Sequence, residues 1–155
     1  MNLNNSGRGK GLAAFYRENK FVVTRNFYDL NLQITVLESE NLCVVTLYRS
    51  NCDTNIVRLL NDIIPKDGAC LIIGDINICS RAAANHPALK LLRKKGFHLL
   101  LSEATHFGGG ALDQGWLRTD TTVQVSGTQI YSPYFNARDH DAVLFTLAQK
   151  EDKSK

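Results

Sequence analysis

Long apolar runs are absent from this sequence of 155 residues. The longest, around residues 69–73 and 97–101, are far shorter than the roughly 18 residues that a membrane-spanning helix needs. No positively charged segment followed by an apolar stretch opens the chain, so we expect no secretory signal and no membrane partner. Hydrophobic residues make up 44% and charged residues 21%, which excludes collagen-like, coiled-coil and disordered classes.

Paired cysteine motifs are absent as well. The four cysteines, Cys43, Cys52, Cys70 and Cys79, form no C-x-x-C pair, which argues against a structural zinc site. We therefore predict four free thiols and an intracellular location, nuclear or cytoplasmic. The formal net charge of +3 is compatible with a polyanionic partner, although an ordinary solvated surface explains it equally well.

Hydrophobic periodicity predicts strands interleaved with two helices. Apolar residues recur at helical spacing over 53–64, where Asp53 or Thr54 is the expected N-cap. A second helix is expected to begin at Asn85 and to end before Gly96. The strand-like segments are, in chain order, 12–16, 21–24, 30–37, 43–48, 69–73, 98–101, 123–125, 130–131 and 142–147.

These elements predict one domain of the α/β or α+β class with a mixed sheet. Segments 30–37 and 43–48 flank a polar turn and are expected to form a hairpin. Segments 123–125 and 130–131 flank Ser126-Gly127 and are expected to form a second hairpin. We place the domain at residues 9–148, between a disordered start at 1–8 and a disordered charged tail at 149–155.

The segment I-I-G-D-I-N places a carboxylate and a carboxamide directly after a buried strand. Because side chains two residues apart in an extended strand point to the same side, Asp75 and Asn77 are expected to face the same way. A carboxylate in this position is costly unless it is hydrogen-bonded, binds a metal or performs chemistry. The alternative is a structural aspartate that caps the turn.

Two further segments carry groups suited to chemistry. Asp139-His140 precedes the last strand segment, and residues 105–113 contain three consecutive glycines followed by Asp113. Each segment alone could be an ordinary polar or flexible loop. Together with Asp75 and Asn77, they suit phosphoryl chemistry assisted by a hard cation such as Mg²⁺. A serine hydrolase is not expected, because the G-x-S-x-G motif is absent.

The order of these motifs resembles the C-terminal half to two-thirds of the endonuclease/exonuclease/phosphatase superfamily. V-V-T-L-Y-R-S at 44–50 is similar to its strand ending in tyrosine, and G-D-I-N at 74–77 to its G-D-F-N. T-H and G-G-G-A-L-D within 105–113 resemble its T-H … G-G … L-D segment, and Asp139-His140 resembles its terminal S-D-H. The chain looks most like the versions in animal mobile elements, namely Helitron-type helicases and non-LTR retrotransposons.

The resemblance implies a fold, a cofactor and a partner. The fold would be a four-layer sandwich of two mixed β-sheets flanked by helices. The activity would be phosphodiester hydrolysis with Mg²⁺, or Mn²⁺, as the cofactor. The partner would be nucleic acid, above all DNA, and a helicase or reverse transcriptase domain could accompany this one in a larger parent protein.

The resemblance also implies roles for individual residues. Asp75 would orient or deprotonate the attacking water, and Asn77 would hold the scissile phosphate. Asp113 would fix the tautomer of His140, which would then donate to a phosphate oxygen. The supporting residues would be Asp139 near the metal, Tyr48 at the phosphate and Thr105 behind the site.

The chain also departs from the superfamily pattern. The superfamily carries an early asparagine and a metal-binding glutamate before the strand that resembles 12–16, and nothing of that kind precedes it here. Glu18, Glu38 and Glu40 come too late, and Arg138 replaces the usual serine. We therefore expect a partial domain that lacks its N-terminal strands and a primary metal ligand.

Three functions remain open at this point. The first is an endonuclease domain of mobile-element origin, weakly active or inactive alone. The second is a catalytically dead remnant that binds nucleic acid through basic side chains. The third is a phosphatase that acts on a small phosphoester. The basic residues in question are Arg81, Lys90, Arg93, Lys94, Lys95 and Arg118.

Overall fold

The structure is a computed structural model that describes residues 12–51, 53, 55–120, 122–131 and 139–150. The expected disordered start and residues 151–155 of the charged tail lie outside these residues, as do Cys52, Thr54 and Arg138, whereas Gln149, placed in the tail by the sequence, ends the last strand. Cys43, Cys70 and Cys79 are free thiols, as predicted. No helix in the described ranges is long and apolar enough to cross a membrane.

A six-stranded mixed sheet forms the centre of the domain. Its strands are β1 (Val22–Tyr28), β2 (Leu32–Glu38), β3 (Cys43–Arg49), β4 (Cys70–Asp75), β5 (His98–Leu99) and β6 (Asp113–Arg118). Their spatial order is β1-β2-β3-β4-β6-β5, and only β3 and β4 pair in parallel. The predicted hairpin between the third and fourth strand segments is present as β2 and β3.

Helices α1 (Ile56–Ile63) and α2 (Pro87–Lys94) cover one face of this sheet. Alternating residues of β2 and β3, such as Ile34 and Leu47, pack against Leu60 of α1 and Leu92 of α2. The opposite face of β2 is buried too, because the chain preceding β1 crosses it. The backbone N–H of Leu12 donates to Oε1 of Gln33 at 2.8 Å.

A second sheet packs on the other face of the first. It consists of β7 (Val123–Tyr131) and β8 (Ala142–Gln149), paired antiparallel. The two sheets approach closely at Gly115, where a Cβ atom would lie 2.6 Å from Cζ of Phe145. The described residues therefore form an α+β sandwich of helices, mixed sheet and two-stranded sheet, and none of their helices covers the outer face of the second sheet.

Two expected strand patterns are wrong in detail. Residues 12–16 form no strand, because no neighbouring strand pairs with them. Ser126-Gly127 is not a hairpin turn; β7 runs straight through it, and the register shifts between Val125 and Gly127 as at a β-bulge. Strand β6 was not expected, because Gln114 and Gly115 interrupt the apolar pattern.

The helix starts also differ from expectation. Asn55 is the N-cap of α1, and His86 is the N-cap of α2. Asp53 nevertheless holds the start of α1, since its Oδ2 accepts from the N–H of Ile56 at 2.9 Å. The Nδ1 atom of His86 accepts from the N–H of Ala88 at 3.1 Å, as an aspartate or serine cap would.

Gly74 generates a stability prediction. Its φ is +141°, and a Cβ there would lie 1.8 Å from the carbonyl oxygen of Leu47 on β3. We expect Gly74→Ala to lower the free energy of unfolding by at least about 3 kcal/mol, because a backbone atom cannot move aside cheaply. Gly68→Ala is the matched control: its φ is also positive, at +85°, but nothing lies within 4 Å of the new Cβ.

Gly68→Ala should lower the free energy of unfolding by only about 1–2 kcal/mol, because the new residue is strained in a left-handed conformation but meets no neighbouring atom. Urea midpoints of the two variants check the comparison. Equal midpoints would show that the close approach of β3 and β4 at Gly74 does not constrain the sheet.

Candidate active site

Three neighbouring strands carry the first polar side chains of the site in one row. Tyr48 on β3 is in register with Asp75 on β4, and Asp75 is in register with Asp113 on β6. Residues in register on adjacent strands project their side chains from the same face of a sheet. The sheet therefore brings these three residues together, although they are far apart in sequence.

His140 reaches the row from the second sheet. It lies immediately before β8 and forms an isolated antiparallel bridge with His106. Its Nδ1 lies 2.7 Å from Oδ2 of Asp113, which is hydrogen-bond distance. Because a carboxylate only accepts, Nδ1 donates, and Nε2 is directed toward the row, 3.9 Å from Oδ2 of Asp75.

Thr105 supports Asp113 from behind. It is only 1% exposed, and its Oγ1 donates to Oδ2 of Asp113 at 2.8 Å while accepting from the N–H of the same residue at 3.1 Å. Its carbonyl accepts from the N–H of Asp141 at 2.7 Å. Thr105 thus joins the start of β6 to the segment that leads into β8.

The loop after β4 turns sharply at Asn77. This residue has φ +52°, a left-handed conformation that costs an ordinary residue about 1 kcal/mol or more. Its N–H donates to Oδ1 of Asp75 at 3.0 Å. The same carboxylate therefore fixes the turn with one oxygen and presents the other to the site.

Two buried polar side chains hold this loop by its carbonyl groups. Arg49 on β3 donates to the carbonyls of Ile76 and Asn77 at 3.5 and 3.4 Å. Gln114 on β6 donates to the carbonyl of Ile78 at 2.6 Å. Hydrogen bonds from β3 and β6, the strands on either side of β4, thus hold the loop around Asn77 in place.

The side chains of Arg49 and Gln114 are themselves held by further hydrogen bonds. The guanidinium of Arg49 donates to the carbonyl of Asp53 at 2.8 Å, and its Nε lies 3.4 Å from Oδ2 of the same residue. Gln114 also donates to the carbonyl of Ala111 at 2.8 Å and accepts from Nε1 of Trp116 at 2.8 Å. Neither Arg49 nor Gln114 is among the residues expected from the sequence to form the site. The available signal for Arg49 was its place directly after a predicted buried strand, whereas Gln114 lies in no predicted strand.

The charges of the site perturb one another. Burial, followed by the nearby charge of Asp113, raises the pKa of Asp75, and His140 offsets part of this. Burial alone would lower the pKa of His140, but its hydrogen bond to Asp113 and the charges of Asp113, Asp75 and Asp139 outweigh that effect and raise it. Burial and the charge of Asp75 raise the pKa of Tyr48.

One group of side chains could hold a metal ion. Single donor atoms of Asp75, Asp113 and His140 all lie within 4.8 Å of one another. Oδ2 of Asp113 already accepts from His140 and Thr105, whereas Oδ1 of Asp75 accepts from the turn at Asn77 and its Oδ2 faces Nε2 of His140, so Oδ2 of Asp75 is well placed to ligate a metal ion. Mg²⁺ commonly binds through one or two carboxylates together with water and phosphate oxygens, and this donor set fits it.

Asp139 is exposed beside this group. Its carbonyl accepts from the N–H of Phe107 at 2.9 Å, which places its backbone against the glycine-rich loop. Its charge contributes to the raised pKa of His140. The residues to which the resemblance assigns catalytic, metal or supporting roles therefore belong to one end of the sandwich.

Several basic residues considered for nucleic-acid binding lie elsewhere. Arg118 ends β6 at the opposite end from Asp113, about 17 Å away along the strand. Its guanidinium donates to the carbonyls of Pro65, Asp67 and Gly68. Gly96, just after α2, lies against Arg118, so Lys94 and Lys95 are at this distant end too.

Arg93 is similarly committed to the fold. It donates to the carbonyl of Ala84 at 2.6 Å, and its guanidinium carbon lies 5.5 Å from the ring centroid of Trp116. Arg81 is exposed in the loop between β4 and α2. The structure therefore does not gather the six basic residues around the row of carboxylates.

Comparison with known proteins identifies the fold. No protein-family model and no curated protein sequence matches the chain. Among solved structures, the endonuclease domain of TRAS1, a telomere-specific non-LTR retrotransposon, is similar, with a TM-score of 0.56 and 13% identity over 83% of this chain and 67% of that one. CdtB, the biologically active subunit of cytolethal distending toxin, is similar with a TM-score of 0.58 and 12% identity over 87% of this chain and 58% of that one.

An endonuclease/exonuclease/phosphatase from Beutenbergia cavernae DSM 12333 gives a TM-score of 0.52 and 13% identity over 76% of this chain and 39% of that one. The fold is therefore the endonuclease/exonuclease/phosphatase fold, as the resemblance implied. The chain spans between 39% and 67% of the length of these three proteins. At these identities, the similarity establishes the fold alone.

The Asp113–His140 contact generates a prediction about protonation. We expect His140 to titrate above the ordinary histidine pKa and His86 below it, because burial and the nearby Arg49 disfavour a charge on His86. Proton NMR of the metal-free protein checks both values. Asp113→Asn should lower the pKa of His140 and leave that of His86 unchanged.

The sign of the effect on stability follows. A histidine whose pKa is raised by folding stabilises the fold when protonated, and this contribution disappears as the pH rises through the folded-state pKa. A His140 pKa that does not respond to Asp113→Asn would contradict the assigned contact.

Proposed function

We propose that this domain is an Mg²⁺-dependent phosphodiester hydrolase of the endonuclease type, of mobile-element origin and weakly active or inactive alone. The observation that carries the proposal is the Asp113–His140 hydrogen bond, with Nε2 of His140 facing Asp75. The fold is shared with proteins described as nucleases and phosphatases. Similarity to a retrotransposon endonuclease supports the proposed origin, and the parent protein would carry a helicase or reverse transcriptase domain.

The chain's own residues would divide the work as follows. Asp75 would orient or deprotonate the attacking water. Asn77 and Tyr48 would hold the scissile phosphate. Protonated His140 would donate from Nε2 to a phosphate oxygen, while Asp113 keeps its Nδ1 occupied. Thr105 would act only by fixing Asp113.

The metal would be held by Asp75, with Asp139 at the rim. When bound, Mg²⁺, or Mn²⁺ in its place, would shield the charge of the phosphate and favour ionisation of bound water. Oδ2 of Asp113 would contribute little, because it is already shared by two donors. With one or two carboxylates from the described residues, the bound ion would depend mostly on water and phosphate oxygens, and for that reason we propose low activity for this chain alone.

The second candidate is a catalytically dead remnant that binds nucleic acid through basic side chains. The scarcity of accessible metal ligands favours it over full activity. The positions of Lys94 and Arg118, at the end of the sheet opposite Asp75 and Asp113, disfavour binding centred on the site through these cations. The two candidates therefore predict different consequences when site and distant residues are changed.

Cleavage provides the first test of the proposal. We expect nicking of supercoiled plasmid to be slow at most in Mg²⁺ and absent in EDTA, because few carboxylates are available to the metal. Any nicking should be lost in Asp75→Asn, which keeps the size of the side chain but removes its charge. Nicking that survives EDTA or Asp75→Asn would refute the proposed site, whereas fast nicking abolished by both would refute only the proposed weakness.

Binding provides the second test and separates the two candidates. We expect His140→Ala to weaken the affinity for a short DNA oligonucleotide in Mg²⁺ by roughly tenfold, since a charge-assisted hydrogen bond to phosphate is lost. Lys94→Ala is the matched control and should have little effect. The affinities are compared at two salt concentrations, because contacts from distant cations weaken as salt rises.

The thermal midpoint should barely change in His140→Ala. The opposite pattern, with affinity lost in Lys94→Ala and retained in His140→Ala, would support the dead remnant. A large fall in the thermal midpoint of His140→Ala with unchanged affinity would make His140 a structural residue.

A further inference from the structure

A large aromatic side chain stands in solvent beside the site. Phe107 is 80% exposed, although it directly follows His106, which bridges to His140. It takes no part in either hydrophobic core cluster and has no place in the proposed hydrolysis. Exposed apolar side chains are common, as Phe15 shows at 77%, so it is the position of Phe107 beside the carboxylate row that makes it a candidate contact for a ligand.

The loop that carries this ring is tightly braced. The N–H of Phe107 donates to the carbonyl of Asp139 at 2.9 Å, and the N–H of Gly109 donates to the carbonyl of His106 at 2.9 Å. The N–H of Gly108 donates to Nδ1 of His106 at 3.1 Å. The backbone of Phe107 is therefore held in a defined place, which lowers the entropy cost of binding a ligand against it.

The ring continues a row of aromatic side chains that leads to the site. The Phe107 and His106 ring centroids are 4.9 Å apart, with their planes inclined at 38°. The His106 and His140 rings are 4.8 Å apart and nearly perpendicular, at 77°. Phe107 thus lies two ring contacts from the imidazole that the proposed function places on a phosphate.

The residues after Phe107 leave space beside its ring. Gly108 and Gly109 are exposed, and nothing lies within 4 Å of the position that a Cβ of Gly109 would occupy. No side chain at these two positions can cover the ring. A flat ligand could therefore approach the phenyl face from solvent.

We propose that Phe107 is a stacking platform for a base of the nucleic acid next to the phosphate bound at Asp75 and His140. This inference rests on the proposed function and makes Phe107 a specificity residue of the same site. Stacking of one base on an aromatic side chain strengthens binding by roughly 5- to 150-fold and accepts every base, because each has a π-face. Phe107 therefore favours an oligonucleotide over a small phosphoester.

The experiment compares two oligomers that differ only in their bases. The probes are a fluorescent DNA pentamer and an abasic pentamer with the same phosphates, each titrated with the full chain in Mg²⁺ at one salt concentration. Phe107→Ala should weaken binding of the base-containing pentamer roughly tenfold. It should leave the affinity for the abasic pentamer, and for inorganic phosphate, unchanged.

Three variants serve as controls. Phe107→Trp should retain the affinity, because it keeps an aromatic face, whereas Phe107→Leu should behave like Phe107→Ala despite its apolar side chain. Phe15→Ala removes an equally exposed ring, at 77%, from the segment before β1 and should change nothing. Thermal midpoints of all variants should agree, because Phe107 packs against no core.

The outcomes distinguish this inference from the proposed function. If Phe107→Ala weakens both pentamers equally or neither, or if the wild-type chain does not prefer the base-containing pentamer, the stacking platform is refuted. His140→Ala can still reduce phosphate binding in those cases, and the proposed function then stands. If His140→Ala has no effect on any probe while Phe107→Ala still discriminates the pentamers, the base platform stands and the hydrolytic site fails.

Discussion

The hydrogen bond between Asp113 and His140 is the contact on which the arrangement of the site depends. Asp113 begins β6 in the central sheet, whereas His140 immediately precedes β8 in the second sheet. The bond therefore joins the two layers at one end of the sandwich. Thr105 reinforces it, because its hydroxyl holds Asp113 and its carbonyl holds the residue after His140. This junction also holds Nε2 of His140 at 3.9 Å from Oδ2 of Asp75.

The same contact explains why two carboxylates can lie close together. Asp75 and Asp113 are in register on adjacent strands, and each charge disfavours the other. A protonated His140 hydrogen-bonds to one carboxylate and lies 3.9 Å from the other, which offsets part of this repulsion. The two carboxylates in turn favour the protonated form of the imidazole, because their charges raise the pKa of His140. The histidine thus stabilises the pair of carboxylates when it carries a proton.

Sequence patterns predicted most of the architecture but not its finest constraints. Strands β2, β3 and β8 and both helices follow from the spacing of their apolar residues, and the motif order indicated the fold and the convergence of Asp75, Asp113 and His140. Strand β6 was not predicted because its buried residues Gln114 and Gly115 are not hydrophobic. Gln114 is buried because it hydrogen-bonds to the loop after β4, and Gly115 because Phe145 packs against it, so hydrophobic periodicity reveals neither. The bulge at Ser126-Gly127 has the composition of a turn, and only pairing with β8 shows that the strand continues.

The roles of Arg49 and Gln114 could not be inferred for a related reason. Both satisfy carbonyl groups of a loop whose shape is set by Asn77, and such contacts depend on three-dimensional positions that no spacing rule encodes. Buried polar side chains are costly without partners, and the terminal guanidinium nitrogens of Arg49 and the carboxamide of Gln114 find theirs mainly on carbonyl groups, so they hold the loop firmly once it is formed. The left-handed turn at Asn77 therefore follows from the interior of the domain.

The distribution of charge determines how such a site could attract a polyanion. Lys94 and Arg118 lie at the far end of the sheet, while the site itself presents Asp75, Asp113 and the exposed Asp139. These three carboxylates would repel a phosphate that approaches them, and a bound cation and a protonated His140 would offset that repulsion. Under the proposed function, affinity at the site would therefore come from the metal, the imidazolium and contacts to uncharged parts of the ligand. An exposed aromatic ring supplies the last of these, because stacking on a base is unaffected by the repulsion between carboxylates and phosphates.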